Sequence, residues 1–104
     1  MTYTVTVSAE ATEDLIRLAD HLFERELLRD GDLDYAANFI AAIHASLSLL
    51  ERFPYTCRKS AESSFLRELV IPFGHTGYVA LFEIVADKRI VVSAVRHQRE
   101  DDYL

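Results

Sequence analysis

The side chains best suited to chemistry lie in the second half of the chain and gather at its C-terminal end. They are four arginines, a histidine and a tyrosine, namely Arg58, Arg67, Arg96, His97, Arg99 and Tyr103. These residue types can cleave a phosphodiester without a metal ion. A base deprotonates the ribose 2′-hydroxyl, arginines stabilise the charge that develops on phosphorus, and an acid protonates the leaving oxygen. A metal-free nuclease site is therefore one interpretation of this set.

The same residue types also form polar surfaces that bind other proteins. Arg96 and Arg99 are followed at once by Glu100, Asp101 and Asp102, with which they can pair at the surface. Exposed pairs of that kind stabilise a fold by only about 0–1 kcal/mol. On residue types alone, surface pairing or contact with a partner is favoured over catalysis.

Metal and cofactor sites have little support in the sequence. His97, Glu100 and Asp101 would align on a helix, but one histidine with two carboxylates and no fourth ligand is a poor metal site. The three glycines are isolated, so no loop can cradle a phosphate. Cys57 is the single cysteine and cannot form an internal disulfide, which is typical of a reducing cytoplasm. We expect no metal and no cofactor.

Charge is distributed unevenly along the 104 residues, a length that predicts one domain over 1–104. Residues 1–51 hold three basic and ten acidic side chains, a net −7, whereas residues 52–104 hold eight and seven, a net +1. An acidic chain is repelled by phosphate backbones, so direct binding to DNA is not expected. The negative charge of residues 1–51 favours a basic protein partner. No apolar run is long enough to span a membrane, and the N-terminus lacks a signal peptide, so we expect a cytoplasmic protein.

Two helices are predicted after a short N-terminal strand over Tyr3–Val7. Ser8 is a typical N-cap for the first helix, which should end near Arg29. Asp32 or Asp34 should cap the second helix, which Phe53 and Pro54 close. Apolar residues recur at helical spacing in both helices and predict the faces that pack on a sheet. In the first helix they are Leu15, Ile16, Ala19, Leu22, Phe23 and Leu27, and in the second Ala36, Phe39, Ile40, Ile43, Leu47 and Leu50.

Three strands are predicted in the second half, after a loop over residues 55–64. They cover Phe65–Ile71, where Pro72 should stop the first, then Tyr78–Ala86 and Ile90–Arg96. The last is apolar on both faces and should be central in the sheet. Short connections make the sheet mainly antiparallel. The predicted class is α+β, with the order β-α-α-β-β-β and an antiparallel helical hairpin packed on a small sheet. The loop and the end of the last strand could then lie on one side of the sheet, with Arg67 between them.

Four stretches resemble the RelE/ParE superfamily of toxins from bacterial type II toxin–antitoxin systems, also called plasmid stabilisation proteins. The resemblance covers essentially the whole chain, and the most specific stretch is similar to the closing motif of the ParE branch. The stretches run from Leu50 to Arg58, from Leu66 to Phe73, from Gly77 to Ile84 and from Arg96 to Tyr103. The fold that this family implies is the one predicted above.

The resemblance implies one of two targets. ParE-like members poison DNA gyrase, and RelE-like members are ribosome-dependent mRNA endonucleases. The nucleases tend to be basic and to carry an arginine where this chain has Val79, so the ParE-like reading leads and no catalytic residue is assigned. The nuclease alternative would use Arg67, Arg96, His97, Arg99 and Tyr103. A third possibility is an inactive homologue that only binds antitoxin.

The family also implies a partner, a small ParD-like antitoxin whose flexible C-terminal part folds onto the toxin to give a hetero-oligomer. The residues that would contact the target or the antitoxin are then Arg58, Arg67, Arg96, His97, Arg99 and Tyr103. Because the first half carries −7, the contacting segment of the antitoxin should combine apolar residues with lysine or arginine.

Overall fold

A five-stranded sheet covered on one face by two helices forms the molecule in a computed structural model, which describes residues 2–74 and 76–98. The sheet order is β1-β5-β4-β3-β2, with β1 parallel to β5 and every other pair antiparallel. The predicted α+β class and element order are confirmed, with one short strand added. The elements are β1 (Thr4–Val7), α1 (Ala9–Leu28), α2 (Tyr35–Leu49), a 3₁₀ turn (Pro54–Thr56), β2 (Arg58–Lys59), β3 (Arg67–Phe73), β4 (Thr76–Ala86) and β5 (Arg89–His97).

Helix α1 begins as its sequence predicts. Ser8 has extended backbone angles, and its hydroxyl accepts a hydrogen bond from the backbone N–H of Ala11 at 3.1 Å. This bond satisfies one of the four N–H groups that a helix leaves without an internal partner. Asp14 then ties the first turns of α1 to the sheet, because its carboxylate accepts the backbone N–H of Val95 at 3.0 Å. The end of β5 is therefore held in a fixed position under α1.

The face of α2 that packs on the sheet is the predicted one. Phe39, Ile43, Leu47 and Leu50 are all buried. Phe39 also stands edge-on to Phe73 of β3, with ring centroids 5.7 Å apart. A continuous apolar stripe of this kind supplies most of the stability of a helix that packs on a sheet.

The predicted apolar stripe of α1 is wrong on one side. Ala11, Leu18 and Leu22 form the buried face, whereas Ile16, Phe23 and Leu27 are exposed. The predicted stripe was wider than the part of the helix that α2 and the sheet cover. Leu18, at the centre of the buried face, was absent from the prediction. Three large apolar side chains thus lie on the outside of the molecule.

Glu26 shares the buried face of α1, which sequence patterning did not predict. Its carboxylate lies 3.0 Å from the Arg29 guanidinium as an ion pair, but in the described part of the chain no donor is aligned for a hydrogen bond to Oε2. Gly31 closes over it, and a Cβ there would stand 2.7 Å from Oε2. A side chain at position 31 would therefore require the Glu26 carboxylate to shift.

Strand β3 runs through Pro72, so the expected stop at this proline was wrong. Pro72 pairs with Gly77 of β4, while β2 reaches only Arg67 and Glu68 on the other side of β3. Proline is tolerated at a sheet edge, where its missing N–H has no partner strand to bind. The strand therefore continues to Phe73.

Strand β5 lies inside the sheet, between β1 and β4, and β4 takes the middle position. Its pairing with β4 shifts between Leu81 and Phe82, which oppose Ala94 and Val92 and leave Ser93 as an extra residue. A bulge of this kind changes which face the following residues point to. As a result Val92 and Val95 both join the core under the helices.

Candidate functional site

The sheet has a face under the helices and an opposite face, called the open face because α1 and α2 do not lie on it, although Val79 and Leu81 on that face are buried. The candidate residues are divided between the two faces. Along β4, Tyr78, Ala80 and Phe82 belong to the core under the helices, so the alternate residues point to the open face. Paired residues of neighbouring strands share a face. Arg67 opposes Phe82 and Arg96 opposes Val79. These two arginines therefore lie on opposite faces of the sheet.

Arg67 is held on the helix-covered face by two contacts. Its guanidinium donates to the backbone carbonyl oxygen of Cys57 at 2.7 Å and lies over the ring of Tyr55, 5.1 Å from the centroid. Burial raises the pKa of the Cys57 thiol, while the nearby Arg67 charge and a hydrogen bond with Thr56 oppose that rise. The thiol is thus a poor nucleophile, and Arg67 acts as a tie between β3 and the segment that precedes β2.

Arg58 and Arg96 lie on the open face, and each has a glutamate partner. The Arg58 Nε lies 2.7 Å from a carboxylate oxygen of Glu68, its neighbour across β2 and β3. An Arg96 nitrogen lies 3.1 Å from a carboxylate oxygen of Glu62. The second pair joins the loop to the end of β5, on one side of the sheet as expected, but Arg67 does not stand between them.

His97 points toward α1 and lines a cleft of about 340 Å³. Its ring stands edge-on to Tyr78, with centroids 5.1 Å apart. Arg17 and His21 approach from one face of α1, where they are four residues apart, and Leu18 completes the lining. Arg99 and Tyr103, the other two candidates, lie outside the described residues.

The sequence also carries a family signature over almost its full length. The family whose description reads "ParE toxin of type II toxin-antitoxin system, parDE" matches residues 5–102. The chain belongs to this family. It is the toxin component of a type II toxin–antitoxin system.

A solved structure of another protein has the same fold as this ParE-family toxin. It comes from the "Chromosomal ParDE TA system from P. aeruginosa" and superposes with a TM-score of 0.68 at 17% sequence identity. The likeness covers 91% of this chain and 95% of that one. No curated protein sequence is significantly similar.

Within the described part of this ParE-family toxin, the candidates do not form one cluster. Arg58 and Arg96 share the open face, and Arg67 and His97 share the other. On that face Arg67 opposes Phe82 and His97 opposes Tyr78, four residues apart on β4, which is about 13 Å along a strand. No group of three or more histidine, cysteine or acidic residues among those described could hold a metal ion. The arrangement can offer charged contacts on two faces.

Sequence reasoning missed the partners that fix these arginines. Glu62 and Glu68 hold Arg96 and Arg58, yet they are 34 and ten residues away. No local pattern marks such pairs, because they depend on strand register. Arg17 and His21, which line the helix side of the cleft, could have been found only from their four-residue spacing, which places them on one face of a helix.

Proposed function

We propose that this ParE-family toxin inhibits DNA gyrase, is not itself an enzyme, and is neutralised by a ParD-like antitoxin encoded beside it. The observation that carries the proposal is the family match from residue 5 to residue 102, which includes the closing stretch from Arg96. ParE-like members poison gyrase, whereas the ribosome-dependent nucleases belong to the RelE-like branch. The site of action would be the cytoplasm. No helix among the described residues is both long and apolar enough to cross a membrane.

Two features support gyrase over the ribosome as the target. Val79, where the nucleases of the superfamily tend to have arginine, is 2% exposed. A hydrophobic side chain is favoured at such a position, whereas an unpaired arginine there would be costly. Arg67 and Arg96 point to opposite faces of the sheet, so the two cannot contact one phosphate. Both features favour a toxin that acts by binding a protein.

A gyrase cleavage assay tests the target. Purified toxin is incubated with gyrase, ATP and supercoiled plasmid, and the reaction is stopped with detergent and protease. We expect linear plasmid to accumulate with toxin concentration, because a toxin that stalls the enzyme traps cleaved DNA. Toxin mixed first with excess antitoxin is the control and should leave the plasmid intact. Gyrase that is unaffected by a large excess of toxin, together with codon-positioned cuts in ribosome-bound message, would replace this proposal with the nuclease.

The antitoxin is tested by co-expression of the toxin with the reading frame that lies beside its gene. We expect the two proteins to purify as one hetero-oligomer, whose mass light scattering will give. Expression of the toxin alone should arrest growth, and expression of both should not. A toxin that leaves growth unchanged but still binds the antitoxin would show an inactive homologue. A strongly acidic contacting segment would contradict the charge argument drawn from the −7 of the first half.

A further inference from the structure

Three large apolar side chains form a row on the outside of α1. Ile16 is 56% exposed, Phe23 42% and Leu27 56%. Their separations of seven and four residues place them on one line along a helix with 3.6 residues per turn. Single exposed apolar residues are common on protein surfaces, but an aligned row is the kind of patch that marks a binding surface.

A row of acidic residues runs beside the apolar row. Glu13, Asp20 and Glu24 each precede one of the apolar residues by three positions, which is about 60° around the helix. All three are exposed. Two basic residues of α1 have contacts of their own, since Arg17 pairs with Asp14 and Arg25 lies over the ring of Tyr35, 5.6 Å from its centroid. The outer surface of α1 thus carries two parallel rows, one apolar and one acidic.

The two rows meet in a shallow cleft at the middle of the helix. Four residues of these rows, Glu13, Ile16, Asp20 and Glu24, contribute to its lining, which Arg17 and His21 complete, and its volume is about 510 Å³. The cleft gives a partner side chain a place to enter beside the apolar row. Shape, apolar area and charge therefore coincide on one helix face, as they do at specific interfaces.

We propose that the outer surface of α1, made of Glu13, Ile16, Asp20, Phe23, Glu24 and Leu27, binds an amphipathic segment with one apolar and one basic row. This inference rests on the proposed function, under which that segment belongs to the antitoxin. Apolar residues of the segment cover the apolar row, and its lysines or arginines face the acidic row. A helix laid along α1 satisfies both rows at once, because its own side chains repeat with the same period.

Charge decides against the other occupants of this surface. A second copy of the chain would bring a net −6 against −6, and acidic rows would come close together. A nucleic acid would be repelled by the same row. Only a partner that carries positive charge gains from the acidic row and the apolar row together.

The first experiment measures the affinity of the antitoxin for outer-surface variants of the full-length toxin by calorimetry. The double variant Phe23→Ser, Leu27→Ser should weaken binding about 100-fold, since apolar anchors at the centre of an interface carry most of its affinity. The matched control is Leu49→Ser, Phe65→Ser, which changes two apolar residues exposed elsewhere and should leave the affinity unchanged. Circular dichroism and urea unfolding will show that both variants are folded.

The second experiment reverses charge on the acidic row. Asp20→Lys, Glu24→Lys should weaken binding about tenfold through slower association, and the loss should shrink as salt is raised. The control Glu51→Lys, Asp87→Lys changes the net charge equally at exposed positions outside α1 and should have little effect. If the two double variants lose the same binding affinity, the effect comes from net charge alone, and the proposed role of the acidic row is overturned.

The outcomes separate this inference from the proposed function. An antitoxin that binds every outer-surface variant as tightly as the original toxin overturns the inference and leaves the antitoxin partnership standing. An antitoxin that does not bind the original toxin overturns that partnership instead. The surface is then tested with a synthetic helical peptide that has a leucine row and a lysine row. Binding that is lost in Phe23→Ser, Leu27→Ser supports the inference, and no binding overturns it.

Self-association is the remaining outcome. Sedimentation of the toxin alone should give a monomer. A dimer that Phe23→Ser, Leu27→Ser converts to a monomer would make a second copy the occupant of this surface and would overturn the assignment to a basic segment.

Discussion

The open face of the sheet and the outer surface of α1 present opposite situations. Arg58 and Arg96 attract attention in the sequence, yet on the folded sheet each one meets a glutamate of the same chain. Ile16, Phe23 and Leu27 were expected in the core, yet they lie exposed on α1. Arginines at a surface are readily paired within a chain, at little gain in stability. A row of exposed apolar side chains is harder to explain within the chain, so it is the stronger sign of a partner.

The largest predicted effect separates the two sides of α1. Leu22 and Phe23 are consecutive residues, but Leu22 is buried and Phe23 is 42% exposed. Leu22→Ala should lower the free energy of unfolding by about 2–5 kcal/mol, because it leaves a cavity in the core. Phe23→Ala should lower it by less, about 1 kcal/mol, since 42% of Phe23 is already exposed to solvent in the toxin alone. Urea unfolding of the two variants gives both values.

Equal destabilisation by these two substitutions would contradict the exposed position of Phe23. A second comparison uses antitoxin affinity, for which we expect the opposite ranking of the two variants. Antitoxin binding should be weakened by Phe23→Ala and not by Leu22→Ala, provided that both variants are measured where they are folded.

This contrast also explains how far the sequence could predict the fold. Helix and strand positions follow from local patterns, which is why the capping of α1 by Ser8 and the buried stripe of α2 were predicted correctly. Which side of a broadly apolar helix is buried depends on its neighbours. Helix α1 has apolar residues over more than half its circumference, so periodicity could not decide between Leu18 and Ile16.

The candidate site was less predictable than the fold for a related reason. Whether two side chains meet on a sheet depends on register and on bulges, and a shift of one residue turns a side chain to the other face. Arg67 and Arg96 are found on opposite faces because of the pairing of β3 and β5 with β4. Residue types alone could suggest these arginines, but they could not show that the two are separated.

The next prediction compares arginines on the two faces of the sheet. Arg67→Ala removes a hydrogen bond to the Cys57 carbonyl and a contact with Tyr55. It should lower the free energy of unfolding by about 1–2 kcal/mol, because that carbonyl loses its charged donor. Arg96→Ala breaks a partly exposed ion pair with Glu62 and should cost about 0–1 kcal/mol. Urea unfolding at low and high salt measures both.

The salt dependence of the two stability losses distinguishes an exposed ion pair from a partly buried hydrogen bond. The small effect of Arg96→Ala should decrease at high salt because the pair is screened, while the effect of Arg67→Ala should persist. A larger loss for Arg96→Ala than for Arg67→Ala would mean that the open-face pair, and not the tie to Cys57, holds the sheet to its loop.

The smallest predicted effect is on the reactivity of Cys57. Its pKa is raised by burial and lowered in part by Arg67, so the thiolate forms at higher pH than in an unfolded chain. A thiol-specific reagent should therefore react more slowly with the folded toxin near neutral pH, and the midpoint of its rate–pH profile should lie above that of the unfolded chain. Arg67→Ala should move the midpoint higher still, because it removes the positive charge that favours the thiolate. Arg58→Ala, whose partner is Glu68, is the control and should leave the midpoint in place. A midpoint that falls in Arg67→Ala would show that the guanidinium acts on this thiol mainly by keeping water away from it.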